Sequence, residues 1–368
     1  MTTSGDLGLN GSDTPQPSSS PSSYFDMSEK TLANVRFVNN IFDVYIPPII
    51  FVLGVTGNIL AIIIMSRPRF NKFTTAFYMR ILAVFDTNLL TVVLIQHYLE
   101  SNYANSVASD GFCKSFLFTD FTGFGLSNWV LVAMTLDRFL AVQFPLKAPI
   151  WCTIYRAKWS TFAVLIYFLV TNIHVVIFSG PKFTVGDNTL FCEIYIPEIW
   201  REAFYLYDMI VTILVPFFVL LVLNVQIIRV VTRSNKQRNE MSIKNPNNVG
   251  KSEQRERQLT TLLILVCIVF LVTSLPYAVD FIVWEHVIDY ESDSNLEEIR
   301  NCSSSITYKF LYINPMINFY LYCLGCSKFR FELKMIFYWK CCCNEPGSTT
   351  NSEDSAYKVS VISTNRNI

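Results

Sequence analysis

The residues with chemistry to offer are charges placed where charge is costly. Asp120 and the pair Asp137-Arg138 belong to an apolar run over 116–142, and Asp86 lies in the middle of another over 76–99. A carboxylate or guanidinium at membrane depth costs roughly 2.5 to 3.5 kcal/mol on insertion scales, so each is expected to face a partner or a water-filled cavity instead of lipid. Asp137-Arg138 has a plainer reading, an interfacial pair that marks a helix end and snorkels. Asp120 has none, because it lies about five helical turns from Arg138 and the only cation close before it is Lys114. The chemistry open to such carboxylates is recognition of a cation. Catalysis is not expected, since the polar stretches hold no nucleophile with a base, no metal-ligand spacing and no phosphate loop, and His97, His174 and His286 are scattered.

The elements that must position these charges are membrane helices. Hydrophobic residues are 51% of the chain and charged ones 16%, against about 25% charged in an average soluble domain. The 29 basic and 29 acidic residues cancel, so net charge points to no nucleic-acid partner. Apolar runs long enough to span a bilayer cover 44–65, 76–99, 116–142, 159–178, 203–231, 259–284 and 303–324, which makes seven. Arg67, Arg69, Lys72, Lys147, Arg156, Arg233, Lys236, Arg238, Lys251, Arg255 and Arg257 gather in the connections after spans one, three and five. The other connections are poorer in Lys and Arg and hold acids such as Asp289, Glu291 and Glu297, so the N-terminus is expected outside and the C-terminus inside.

The expected organisation is an all-α membrane protein, a seven-transmembrane bundle over 44–325, between a disordered N-terminal segment over 1–43 and a disordered tail over 344–368. Residues 1–40 are polar and rich in Ser and Pro, with no basic start and apolar core of a cleavable signal peptide. Asn10 heads a glycosylation sequon, and Asn301 heads a second close to a span. Over 326–343, Phe329, Leu333, Ile336 and Phe337 share one face among Lys328, Arg330, Lys334 and Lys340, the pattern of an interfacial amphipathic helix. Cys341, Cys342 and Cys343 follow as candidate palmitoylation sites.

With Gly57-Asn58, Leu82-Ala83 and Asp86, Cys113, Asp137-Arg138-Phe139, Trp159, Cys192, Pro216, Phe270 with Pro276, and Asn314-Pro315 in order on seven spans, the chain resembles the rhodopsin-like G-protein-coupled receptors. The SLPY of the sixth span and NPMINFYLYCL of the seventh are similar to invertebrate neuropeptide receptors of the FMRFamide and related groups. The resemblance implies a disulfide between Cys113 and Cys192, and a resting clamp in which Arg138 is held by Asp137 and Glu256 until the sixth helix swings outward to admit a heterotrimeric G protein. It implies that Phe270, Pro276, Asn314 and Pro315 take part in that switch. Asp86, Ser127 and Asn314 match the family's mid-membrane sodium pocket, and the readings left open are a sodium ion or a polar cluster with Asn58 and water; no other cofactor is expected. Departures are equally specific: Ser274 stands where the family has Trp, Asn318 and Asn224 where it has Tyr, and Asn128 at a packing position normally apolar.

By the same resemblance the ligand pocket opens outward between spans three, five, six and seven. Asp120 stands where related receptors hold a ligand cation, and Tyr308 where a tyrosine can hydrogen-bond that carboxylate. Asp208, Asp280, Tyr277, Phe281, Trp284 and Gln96 complete the candidate lining, with Glu285 and Glu193 at the rim. So many carboxylates predict a cationic ligand, and aromatics beside them suit cation–π contact. A basic, amidated peptide is the expected ligand and a biogenic amine bound through Asp120 the alternative; Asp208 and Asp280 also admit internal pairing with Arg201 or Lys309. A retinal pigment is disfavoured because Tyr308 stands where its lysine belongs, and Lys309 faces about 100° away. Ser348, Thr349, Thr350, Ser352 and Ser355 in the tail are candidate receptor-kinase sites whose phosphates would attract arrestin.

Overall fold

A computed structural model of the chain describes residues 28–102, 109–184, 189–242, 251–288 and 294–343. Helix α1 (Glu29–Val44) runs into α2 (Ile46–Met65), followed by α3 (Thr74–Asn102), α4 (Asp110–Gln143), the single turn α5 (Ala148–Trp151), and α6 (Ile154–Thr171) with its continuation α7 (Ile173–Phe178). An antiparallel hairpin, β1 (Ser179–Thr184) and β2 (Thr189–Ile194), leads to α8 (Glu198–Met209), which passes through a π-helical turn (Ile210–Leu214) into α9 (Val215–Ser242). α10 (Lys251–His286), α11 (Ser294–Gly325) and α12 (Ser327–Cys343) complete the chain. The seven-helix bundle is made by α2, α3, α4, α6–α7, α8–α9, α10 and α11.

The helix starts are local chemistry. The Ser28, Ser109 and Thr153 hydroxyls accept from the backbone N–H three residues on at 3.4, 3.2 and 3.3 Å, opening α1, α4 and α6. Pro47 and Pro48 sit in the first turn of α2, where a missing N–H costs nothing. Most helices outrun the apolar runs that announce them; α10 begins eight residues before the expected span and α11 nine, because a polar helix end needs no lipid.

α1 corrects the expectation of disorder for residues 29–43, while 1–27 lie outside the described residues. One face of α1 leans on α11, with Leu32 and Val35 half-buried. Arg36 forms a two-pronged ion pair with Glu298, and Asp43 accepts from Ser305 Oγ at 2.5 Å and Lys309 Nζ at 3.1 Å. A stretch too polar to fold alone is ordered by partners 262 and 266 residues away in sequence, which composition does not reveal.

Six of the described helices are apolar enough to cross a membrane by length and composition alone; α11 is not among them. Its Asn318 is buried and donates to Asp86 of α3, and Lys309 is spent on Asp43, so neighbouring segments supply partners that hydrocarbon lacks. Leu82, Leu131, Met134, Leu220, Ile227, Phe270, Tyr322 and Phe329 form the main core, while Ile59, Ile63, Phe162, Val222 and Val272 face outward to lipid. Between lipid-bathed helices the driving force is close packing. Gly125 permits it: a Cβ there would collide with the Phe168 ring of α6, as one at Gly54 would with Leu90 of α3.

On α12, Phe329 is fully buried and Leu333 and Ile336 pack on the same core, the expected amphipathic face. Arg330 caps the end of α11 by donating to the carbonyls of Cys323 and Leu324 at 3.0 and 2.9 Å. Arg69 pairs with Glu332 at 2.9 Å and lies over Phe331, joining the α2–α3 connection to α12.

Candidate functional site

The site is built at three levels along α4, whose long inward face is occupied by residues that need partners. At the end bearing the disulfide, Cys113 of α4 is bonded to Cys192 of β2 with Cα atoms 5.2 Å apart, as the resemblance implies. About two turns further along, Asp120 is buried. Tyr308 Oη donates to it at 2.8 Å and Tyr312 Oη at 3.3 Å, both from one face of α11 four residues apart. Phe124 lies 6.2 Å from the Tyr308 ring and 5.0 Å from that of Tyr312, and Tyr277 of α10 stands 5.8 Å from Tyr308 and 6.5 Å from Phe281. A carboxylate inside an aromatic chamber results. Among the described residues no cationic side chain forms an ion pair with it.

The other acids separate into two kinds. Among the described residues Asp208 of α8 accepts from Thr212 Oγ1, at 3.1 Å from within its own helical stretch. Asp280 accepts Ser304 Oγ at 2.8 Å and Trp284 Nε1 at 3.1 Å, while Trp284 Nε1 also donates to Ser303 Oγ at 2.8 Å. Asp280 and Trp284, expected in the pocket lining, are thus engaged in the seam between α10 and α11, through hydroxyls and an indole and not through Arg201 or Lys309. Glu285 is paired with Arg300 at 3.1 Å. The side chain of Gln96 lies outside the described residues.

At the middle level Ser127 Oγ donates to Asp86 Oδ1 at 2.6 Å and Asn318 Nδ2 to Asp86 Oδ2 at 2.8 Å, so three helices meet on one buried carboxylate. The donor to Asp86 from α11 is Asn318, one turn beyond Asn314. The Oδ1 atoms of Asn58, Asn314 and Asn318 are buried and accept no hydrogen bond among the described residues, while Asn58 Nδ2 donates to Pro315 O at 3.0 Å. Buried amide oxygens without a donor, one of them on the Asn318 that donates to Asp86, are hard oxygen ligands of the kind a small cation takes, so these residues admit sodium, one of the two readings left open by the resemblance.

On α9 the irregular stretch has its own support. Pro216 has no N–H for the carbonyl four residues earlier, that of Thr212. Asn128 Nδ2 donates to Thr212 O at 2.8 Å, and Trp129 Nε1 to Val211 O at 2.9 Å. The amide at a position normally apolar thereby replaces the missing backbone donor. Asn128→Leu, which leaves that carbonyl unpaired, is expected to cost about 1 to 3 kcal/mol and to lower the thermal unfolding midpoint of purified protein by several degrees; an unchanged midpoint would count against this role.

At the far end Asp137 and Arg138 pair at 2.7 Å, and Thr74 of α3 bridges them, donating to Asp137 Oδ2 at 2.7 Å and accepting from Arg138 Nη2 at 2.8 Å. Cys152 Sγ donates to the Asp137 carbonyl at 3.3 Å; burial, with Asp137 adding to it, pushes this thiol up to about 11, so it remains a protonated donor. Glu256 lies on α10 with its side chain outside the described residues, as are the side chains of Cys341, Cys342 and Cys343; Asn10 lies outside them altogether. Phe270 is buried in the core, and Pro276 and Pro315 lie within α10 and α11.

Tyr312 and Thr74 escaped the sequence reading, and Asn318 was singled out there only as standing where the family has Tyr. Tyr312 had a signal, four residues after Tyr308 on one helix face. Asn318 and Thr74 take their roles from helices distant in sequence.

The pattern of the family described as 7 transmembrane receptor (rhodopsin family) matches residues 57–322. The chain is similar to the FMRFamide receptor of Drosophila melanogaster, 29% identical over 318 residues, which is 79% of this chain and 52% of that protein. It therefore spans about half the length of that receptor. It is also similar to the thyrotropin-releasing hormone receptors of Gallus gallus, 24% identical over 76% of this chain and 74% of the other, and Homo sapiens, 26% identical over 76% and 73%.

Proposed function

Because the chain belongs to the rhodopsin family of seven-transmembrane receptors, we propose that it is activated at the Asp120 level by an extracellular cationic ligand, a basic amidated neuropeptide, and signals through a heterotrimeric G protein. The observation that carries this reading is the Asp120 carboxylate, buried among Tyr277, Tyr308, Tyr312 and Phe124 with only hydroxyls as partners. A guanidinium or ammonium entering there exchanges neutral donors for a charge-assisted pair and gains aromatic faces. Asp208 offers a second anionic point on a separate helix, as an extended ligand with more than one cation needs. The related receptors are named for peptides, FMRFamide and thyrotropin-releasing hormone, and this supports peptide over amine.

In this reading the N-terminus is extracellular and the protein resides in the plasma membrane. Ligand charge on Asp120 competes with the two tyrosine hydroxyls of α11, releasing that helix from α4. The opposite end of α4 carries the Asp137-Arg138 pair with Thr74, and its opening, with release of Glu256, exposes Arg138 to the G protein, a two-state element biased by ligand. Asp86, Ser127, Asn314 and Asn318 would hold a sodium ion, which supplies positive charge beside a buried carboxylate. Glycan at Asn10, palmitate on Cys341 to Cys343, and kinase and arrestin action on the tail complete the assignment.

The test is calcium and cyclic-AMP signalling in cells displaying the chain, challenged with amidated basic peptides, FMRFamide included, and with biogenic amines. A response to an amidated peptide with the amines silent is expected. A response confined to amines would replace the peptide reading with an aminergic one.

A further inference from the structure

Lys309 follows Tyr308 directly on α11, and its Nζ lies 5.9 Å from the Tyr308 ring. The lysine side chain is only 17% exposed. A cation a few residues into an apolar span needs a counter-charge, and two acids lie on either side of this stretch of α11. Asp120 is bonded to Tyr308 itself, at 2.8 Å. Asp43 reaches in from α1 and takes the ammonium, at 3.1 Å.

The geometry around Asp43 favours that outcome. Its Oδ1 accepts from both Lys309 Nζ and Ser305 Oγ, the latter at 2.5 Å, and these two donors lie four residues apart on one face of α11. α1 is pinned against α11 by the two-pronged Arg36–Glu298 pair, with Leu32 and Val35 half-buried. The Asp43 side chain is 40% exposed while Asp120 is buried, so a pair formed at Asp43 gives up less water than one formed at Asp120. Packing alone does not confine the ammonium. A cavity of about 20 Å3, the room of one water or one ammonium, touches both Lys309 and Tyr312 between apolar walls such as Pro47, Ile50 and Leu90, and Tyr312 donates to Asp120.

We propose that Asp43 is a positioning residue for ligand recognition: by holding the Lys309 ammonium on the α1 side of α11, it keeps the Asp120 carboxylate for the ligand's cation. This rests on the reading of Asp120 as the ligand's anchor. With Asp43 neutralised, the ammonium is stranded in a low-dielectric setting beside the two tyrosines that bond Asp120, and it opposes an incoming cation, by pairing with Asp120 or by like-charge repulsion. A unit charge at a distance of order 10 Å, at an effective dielectric of about 20, changes binding roughly tenfold. A plain tether between α1 and α11 predicts something else. Asp43→Asn and Lys309→Met break the same ion pair, so loss of a tether affects both alike, whereas only the first leaves a stranded cation.

Two measurements on the full chain test this. In purified protein without ligand, Asp120→Asn and Lys309→Met are expected to shift the thermal midpoint additively while Asp43 is present, and to become coupled by a few degrees in the Asp43→Asn background. In cells, with FMRFamide as the probe, Asp43→Asn is expected to lower potency about tenfold, Lys309→Met to leave it within about twofold, and Asp43→Asn combined with Lys309→Met to restore it. Asp43→Ser replaces Asp43→Asn if the latter is not monodisperse. Equal losses in Asp43→Asn and Lys309→Met, no rescue in the double variant, or coupling that Asp43→Asn does not change overturns the proposal in favour of a tether. Failure of the ligand reading looks different: Asp120→Asn then leaves FMRFamide potency untouched, or the peptide is silent, and the coupling in purified protein decides about Lys309 by itself.

Discussion

Asp120→Asn is expected to lower the potency of the activating peptide by roughly 30- to 4,000-fold with surface expression unchanged. Truncating one partner of a desolvated, hydrogen-bonded charge pair costs about 2 to 5 kcal/mol, and each 1.4 kcal/mol is a factor of ten. Asparagine keeps the size of the side chain and an oxygen for the Tyr308 or Tyr312 hydroxyl, so the fold loses little while the charge disappears. Tyr308→Phe removes one of two hydroxyl donors to the Asp120 carboxylate but leaves its charge, and is expected to change potency less than Asp120→Asn does. Dose-response curves for these variants beside Asp208→Asn separate the anchors. Peptide activation indifferent to Asp120→Asn and lost in Asp208→Asn would move the cation to α8.

The second large effect belongs to Asp86. Sodium chloride is expected to raise the thermal midpoint of the purified chain above that in choline chloride, and Asp86→Asn to abolish the difference. Binding to the folded state alone stabilises it by RT ln(1 + [L]/Kd), about 1.4 kcal/mol at ten times the dissociation constant. Asn318→Leu acts differently. It removes the donor to Asp86 Oδ2 and leaves a buried carboxylate oxygen unpaired, about 1 to 3 kcal/mol or more for a charged group, so the midpoint is expected to fall in both salts. A sodium response that survives in Asp86→Asn would rule out this carboxylate as the cation's anchor.

These expectations differ in where they were legible. Asp86 and Asp120 were readable from the chain because an acid within twenty apolar residues stands out at any register, and the membrane makes its cost large. The disulfide was readable from resemblance, and α12 from the spacing of Phe329, Leu333 and Ile336. The partners were harder. Asn318 looked like a lost tyrosine; it is the donor that closes the Asp86 cluster. Asn128 looked like a polar intruder at an apolar position, yet it serves the carbonyl that Pro216 orphans. Asp280 shared sign and level with Asp120, but Ser304 and Trp284 engage it.

The order and composition of the chain by themselves determined the membrane class, the seven helices and the depth at which each charge lies, because helix length and hydrocarbon thickness are local constraints that each segment meets alone. Only the tertiary structure decided which partners each carboxylate meets, which amides cap the proline-broken helix and the buried acid, and that α1 is a helix at all. Those outcomes depend on contacts between residues up to about 260 positions apart, such as Arg36 with Glu298 and Asp43 with Lys309, and side-chain partners across a bundle are set by helix rotation and packing, which no single segment encodes.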